Sequence, residues 1–83
     1  QKYWRYTSKV DIFSLGLIFA EMSVPMTGKE RERVFENYRR GISNDILEDQ
    51  LDTEAFVSWL TRVKSEKRPT CMEILNSPFL AGI

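Results

Sequence analysis

The run Val10–Met22, VDIFSLGLIFAEM, constrains this chain more than any other stretch. Only Asp11, Ser14 and Glu21 in it are clearly polar. A helix on a protein surface carries one apolar stripe, whereas a helix that is apolar almost all round is buried on every side. Surrounding it takes several neighbours, with axes about 8–10 Å apart. The chain has 83 residues, enough for one small domain near the size at which a core becomes marginal. Outside the run it offers one amphipathic helix, one highly charged helix and one short terminal helix. These cannot enclose the first. The run therefore predicts that some packing partners lie outside the chain, and that the chain is a piece of a larger domain. On this reading Phe13, Leu17 and Phe19 lie on faces left bare when the chain stands alone.

Local signals divide the sequence into helices. Ser8 followed by Asp11 has the spacing of a capping box, and it predicts a helix running to about Ser23, with Pro25 just beyond. Thr27 and Glu30 give a second box, opening a charged helix to about Arg40 that stops at Gly41. The segment from there to Gln50 reads as a loop anchored by Ile42, Ile46 and Leu47. A third helix is expected from Asp52, with Phe56, Trp59, Leu60 and Val63 on one face. Residues 64–69 read as a turn. Thr70 and Glu73 give a third box, opening a short helix that ends near Asn76. Nothing alternates with the period of a strand, so the expected fold class is all-α, with four helices.

Composition excludes several functions. Twelve basic and twelve acidic residues cancel, so no bulk field recruits nucleic acid or an anionic membrane. The apolar run is shorter than the roughly 20 residues that cross a bilayer, and the first residues, QKYWRYTSK, show no apolar leader core. The expected partners therefore include neither nucleic acid nor membrane, and the expected location is cytoplasmic. Cys71 is the lone cysteine, which fits a reducing compartment. It is expected to be a small packed side chain rather than a reactive thiol. The chain contains no histidine, and no metal site is expected. Asp11 shares a helical face with Ser14, Leu15, Ile18 and Met22. It can cap its own helix or accept hydrogen bonds from another segment's backbone, and spacing leaves both roles open.

Three motifs carry a family resemblance. Ser8-Lys9-Val10-Asp11-Ile12-Phe13-Ser14-Leu15-Gly16 resembles the D-x-W-S-x-G motif that opens the central helix of the protein kinase C-lobe. Lys67-Arg68-Pro69-Thr70, with Arg68 placed 57 positions after Asp11, resembles the arginine motif before the last helix of that lobe. Ser77-Pro78-Phe79-Leu80 resembles the closing H-P-F/W segment, with serine in place of the usual histidine. A charged helix and a Trp-bearing helix lie between them in the expected order, so the resemblance covers nearly the whole chain. Glu21-Met22-Ser23, Pro25-Met26, Thr27, Glu30-Arg31 and Ser58-Trp59-Leu60 further resemble the kinases of the alpha subunit of translation initiation factor 2, of the general-control, amino-acid-starvation type.

The resemblance implies that residues 1–83 form the C-terminal portion of a kinase domain and begin just after the activation segment. The first helix is then buried in the full domain. By the same resemblance Asp11 supports the catalytic loop through its backbone. Ile18 and Met22 support the hydrophobic spine beneath the adenine ring. Arg68 forms a structural ion pair with a glutamate expected just before Gln1. Arg31, Glu32, Phe35 and Glu36 belong to a helix that docks a globular substrate, while Glu21 is expected to be solvated or salt-bridged. No catalytic residue is expected in the segment. It lacks a glycine-rich phosphate loop, since the glycine contexts SLGL and TGKE are not G-x-G-x-x-G. It also lacks H-R-D and D-F-G. ATP and magnesium are implied for the full-length parent, a serine/threonine kinase, and none is bound by this segment. The implied partners are the rest of the kinase domain and a protein substrate. Two other readings stay open: a piece of a pseudokinase or scaffold, and an autonomous helical binding module.

Overall fold

The structure is a computed structural model that describes residues 2–81, with side chains for residues 9–80. Its elements are α1 (Lys2–Ser23), α2 (Gly28–Arg40), α3 (Leu51–Leu60), a 3-10 turn (Ser65–Lys67), α4 (Cys71–Leu75) and α5 (Pro78–Ala81). No strand occurs among the described residues. The all-α class and the four expected helices are present, and the single-turn α5 follows them.

The start of α1 corrects the expected capping box. The helix begins at Lys2, so Ser8 lies within it and is not its N-cap. Its side chain lies outside the described side chains. The segment 2–7 contains neither Gly nor Pro, and nothing in it stops the helix from extending. Asp11 is therefore mid-helix, away from the positive end of the dipole, and its capping role is excluded.

The other caps form as expected. Glu30 donates its backbone N–H to Thr27 Oγ1 at 3.2 Å, and Thr27 N–H returns to Glu30 Oε1 at 3.0 Å. The box at Thr70 and Glu73 closes with distances of 3.1 and 2.8 Å. Helix α2 ends on Gly41 at φ 73°, a left-handed conformation that favours glycine. The N–H groups of Gly41 and Ile42 close its last turn on Tyr38 O and Asn37 O. Gln50 Nε2 donates to Ser23 O at 3.3 Å, giving a C-terminal carbonyl of α1 a partner.

Two apolar clusters hold the helices together. Leu17 and Ala20 of α1 meet Val34, Phe35 and Tyr38 of α2, Leu47 of the loop and Val57 of α3. Ile12 meets Phe56, Leu60 and Ile74, with Phe79 packed alongside. Phe56 and Phe79 stack at 4.4 Å between centroids, and Phe19 meets Phe56 edge-on at 5.0 Å. This packing revises several expectations. Leu17 is buried, and Phe13 and Phe19 are half-buried, because α2 and α3 cover the faces expected to be bare. Ile42 is half-exposed, whereas Leu47 is fully enclosed. Val63 lies beyond the end of α3, outside the helical register, and is exposed. Val57 is buried in its place.

Gly16 shows why the motif needs its glycine. A Cβ there would stand 2.6 Å from Thr61 Cγ2 and 3.0 Å from Leu60 Cβ. The expected result of Gly16→Ala is a loss of about 1–3 kcal/mol of stability through overpacking, read as a lower denaturation midpoint of the full-length protein. An unchanged midpoint would show that α1 and α3 can separate without cost.

Candidate functional site

Helix α1 buries one side against α3 and leaves the other open. The open stripe carries Val10, Asp11, Ser14, Ile18, Glu21 and Met22, all exposed. Ile18 is 50% exposed and Met22 77%, on a helix whose opposite face is core. Leu15, expected on the same face, is drawn partly into the Ile12 cluster. The apolar character of the run is thus half used within the chain. Asp11 presents a carboxylate at one end of the unused half, and a carboxylate is an acceptor that a neighbouring backbone can bond. The structure brings Asp11, Ile18 and Met22 onto one stripe, while Arg31, Glu32 and Glu36 lie on α2 and Arg68 packs against Lys9 and Phe13 of α1.

Helix α2 is tied to the end of α1 by an ion pair. Arg31 Nε donates to Glu21 Oε2 at 2.8 Å, with about half of each side chain exposed. The Arg31 guanidinium also lies 4.6 Å from the centre of the Phe35 ring. Phe35 is buried in the core, so it cannot be an exposed docking contact. The candidate docking surface reduces to Arg31, Glu32 and Glu36. Glu36 is engaged with Arg40 at 2.8 Å and with Arg39 at 3.6 Å. Glu21 occupies the last turn of α1, and Arg31 is the fourth residue of α2. Each charge stands at the helix end where the macrodipole disfavours it, by about 0.3–1 kcal/mol.

Arg68 fastens the last turn region to α1. Its Nε donates to Arg62 O at 2.7 Å, Nη1 to Lys9 O at 3.1 Å and Nη2 to Val63 O at 3.3 Å. The guanidinium lies 4.7 Å from the centre of the Phe13 ring, and Lys9 Nζ donates back to Arg68 O. Phe13 is thus the shelf on which the arginine rests. Beside it opens a pocket of about 560 Å³ between Phe13, Ser14, Arg39, Ser65 and Arg68.

Sequence reasoning missed a polar seam between α2 and α3. Tyr38 O–H donates to Glu54 at 3.4 Å, and Ser58 Oγ donates to the same carboxylate at 2.8 Å. Burial first, and the Glu54 carboxylate beside it, push the Tyr38 phenol well above its usual pKa. Asn44 is buried, accepts from Asn37 at 2.9 Å and donates to Val34 O at 3.2 Å. The i,i+4 spacing of Glu54 and Ser58 was the available signal; the partner Tyr38 was not readable from it. Cys71, expected to be packed, is exposed, because the first turn of α4 faces away from both clusters. Among the described residues no helix is long and apolar enough to cross a membrane.

Comparison with known proteins gives the class. No family model matches the chain, and no solved structure matches it. Among curated proteins it is 35% identical to the eukaryotic translation initiation factor 2-alpha kinase pek-1 of Caenorhabditis elegans, over 95% of this chain and 7% of that protein. It is 44% identical to the eIF-2-alpha kinase GCN2 of Mus musculus, over 90% of this chain and 5% of that one. It is 32% identical to the eukaryotic translation initiation factor 2-alpha kinase 2 of Schizosaccharomyces pombe, over 92% and 12% respectively. The chain thus spans only 5–12% of the length of these relatives. By sequence it is similar to protein kinases over about nine-tenths of its length. Within the kinases it is most like the eIF-2-alpha kinases.

Proposed function

We propose that the chain is the C-terminal portion of the catalytic domain of a serine/threonine protein kinase that phosphorylates the alpha subunit of translation initiation factor 2. The observation that carries this reading is similarity over about nine-tenths of the chain to kinases whose names state that activity. In this account residues 1–83 begin just after the activation segment. The open stripe of α1 receives the rest of the lobe. Asp11 holds the catalytic loop from beneath, and Ile18 and Met22 support the spine. Arg68 pairs with a carboxylate from the segment before Gln1 while keeping its bonds to Lys9, Arg62 and Val63.

Among the described residues no three His, Cys, Asp or Glu side chains converge as a metal site. The chain also lacks a phosphate-binding glycine loop. The proposed cofactors belong to parts of the parent outside this chain, and the proposed location of the parent is the cytoplasm. The contribution of α2 is to grip a folded protein substrate away from the reacting serine, through Arg31, Glu32 and Glu36. Binding energy at such a distance positions the serine for transfer.

The test replaces Arg31, Glu32 and Glu36 together by alanine in the full-length protein, leaving Val34, Phe35 and Tyr38 to hold the packing. Two or three polar contacts of about 0.5–1.5 kcal/mol each predict roughly a tenfold or greater fall in kcat/KM on the folded alpha subunit. Autophosphorylation changes much less. Equal rates for variant and parent on the folded subunit would reduce α2 to a solvated face.

A further inference from the structure

We propose that Glu21 is a positioning residue, whose carboxylate holds Arg31 against Phe35 and so fixes the guanidinium as a contact for an acidic or carbonyl group on a folded protein partner. The inference rests on the reading of α2 as a docking helix and adds the device that orients it.

Two pairs at the same distance make the contrast. Glu36 and Arg40 meet at 2.8 Å within α2 at i,i+4. There the acid precedes the base and the arginine sits in the last turn, the order that helix energetics favour. Glu21 and Arg31 also meet at 2.8 Å, but they join two helices, and each charge stands at its disfavoured end. A pair built against both dipoles and half-exposed is a poor source of stability. What it supplies is geometry. Glu21 takes the Nε hydrogen, and the buried Phe35 ring supports one face of the guanidinium plane. A long side chain that otherwise loses entropy on binding is therefore already restrained. The four Nη hydrogens remain for a planar acceptor such as a carboxylate or backbone carbonyl. The same pair spans the short link from Val24 to Thr27, so it also sets the approach of α2 to the end of α1.

The test is a double-mutant cycle in the full-length protein, read as the Kd for the recombinant folded alpha subunit of translation initiation factor 2, with melting temperature measured in parallel. Arg31→Ala weakens binding about tenfold, and Glu21→Gln about threefold with an unchanged melting temperature. The double variant binds no more weakly than Arg31→Ala alone, because Glu21 acts only through Arg31. Arg31→Lys keeps the charge but loses the planar fork, and it does not restore parental affinity. Full additivity of the two losses would show that Glu21 acts independently of Arg31, and would overturn the proposal. Normal affinity of Glu21→Gln beside a weakened Arg31→Ala would overturn it while leaving the docking role of α2 standing. Normal affinity of Arg31→Ala would remove Arg31 from docking and overturn the proposal with it.

Discussion

Asp11→Asn in the full-length protein is expected to lower kcat by roughly 10- to 100-fold while leaving the melting temperature nearly unchanged. The magnitude follows from losing charge-assisted hydrogen bonds worth about 1.5–3 kcal/mol. The separation of the two effects follows from position. Asp11 is exposed, mid-helix and on the open stripe of α1. It caps nothing in its own helix, and within the chain its carboxylate is not part of either apolar cluster. Asparagine keeps the shape and one carbonyl acceptor but loses the charge. An interaction made with a catalytic loop outside the chain is then the quantity that changes. A steady-state kcat equal to that of the parent, with a lower melting temperature, would assign Asp11 a purely structural role.

The second large effect is on folding. The 83-residue chain expressed alone is expected to keep helical far-ultraviolet dichroism but to lack a sharp cooperative melt, to bind hydrophobic dyes and to self-associate. The cause is the stripe of Val10, Ile18 and Met22 on α1, which are 44%, 50% and 77% exposed. Leu51, Val63, Met72 and Leu75 add further exposed apolar surface. A stripe of this kind beside two small clusters among the described residues favours association or a fluctuating core over a unique monomer. A monomer with dispersed, sharp amide signals and a single cooperative transition would overturn the claim that α1 lacks partners, and would favour an autonomous binding module.

The sequence carried most of the helix boundaries because they are written in local chemistry. Thr27 with Glu30, Thr70 with Glu73 and Gly41 each act within four residues, and such signals do not depend on the tertiary fold. Ser8 with Asp11 has the same spacing but misled, because the residues before it can also be helical and nothing local distinguishes a cap from a helix interior. The apolar run was read correctly as having more greasy surface than its neighbours can cover. Which face stays open was not legible: the assignment of Phe13, Leu17 and Phe19 failed, since it depends on where α2 and α3 arrive. Val63 failed for a related reason, as α3 stops one turn early and the periodicity ends with it. The bond from Tyr38 to Glu54 and the stacking of Arg68 on Phe13 join residues far apart in the chain. Periodicity and motif spacing hold no record of them.

The proposal that this chain is the end of a kinase catalytic domain is tested most directly by reading the coding sequence immediately upstream of Gln1 in the transcript. The expected result is an activation segment closing in Pro-Glu next to Gln1, its carboxylate facing Arg68, with D-F-G and H-R-D-x-x-x-x-N further upstream. A start codon at that point, or an unrelated domain running directly into Gln1, would contradict it.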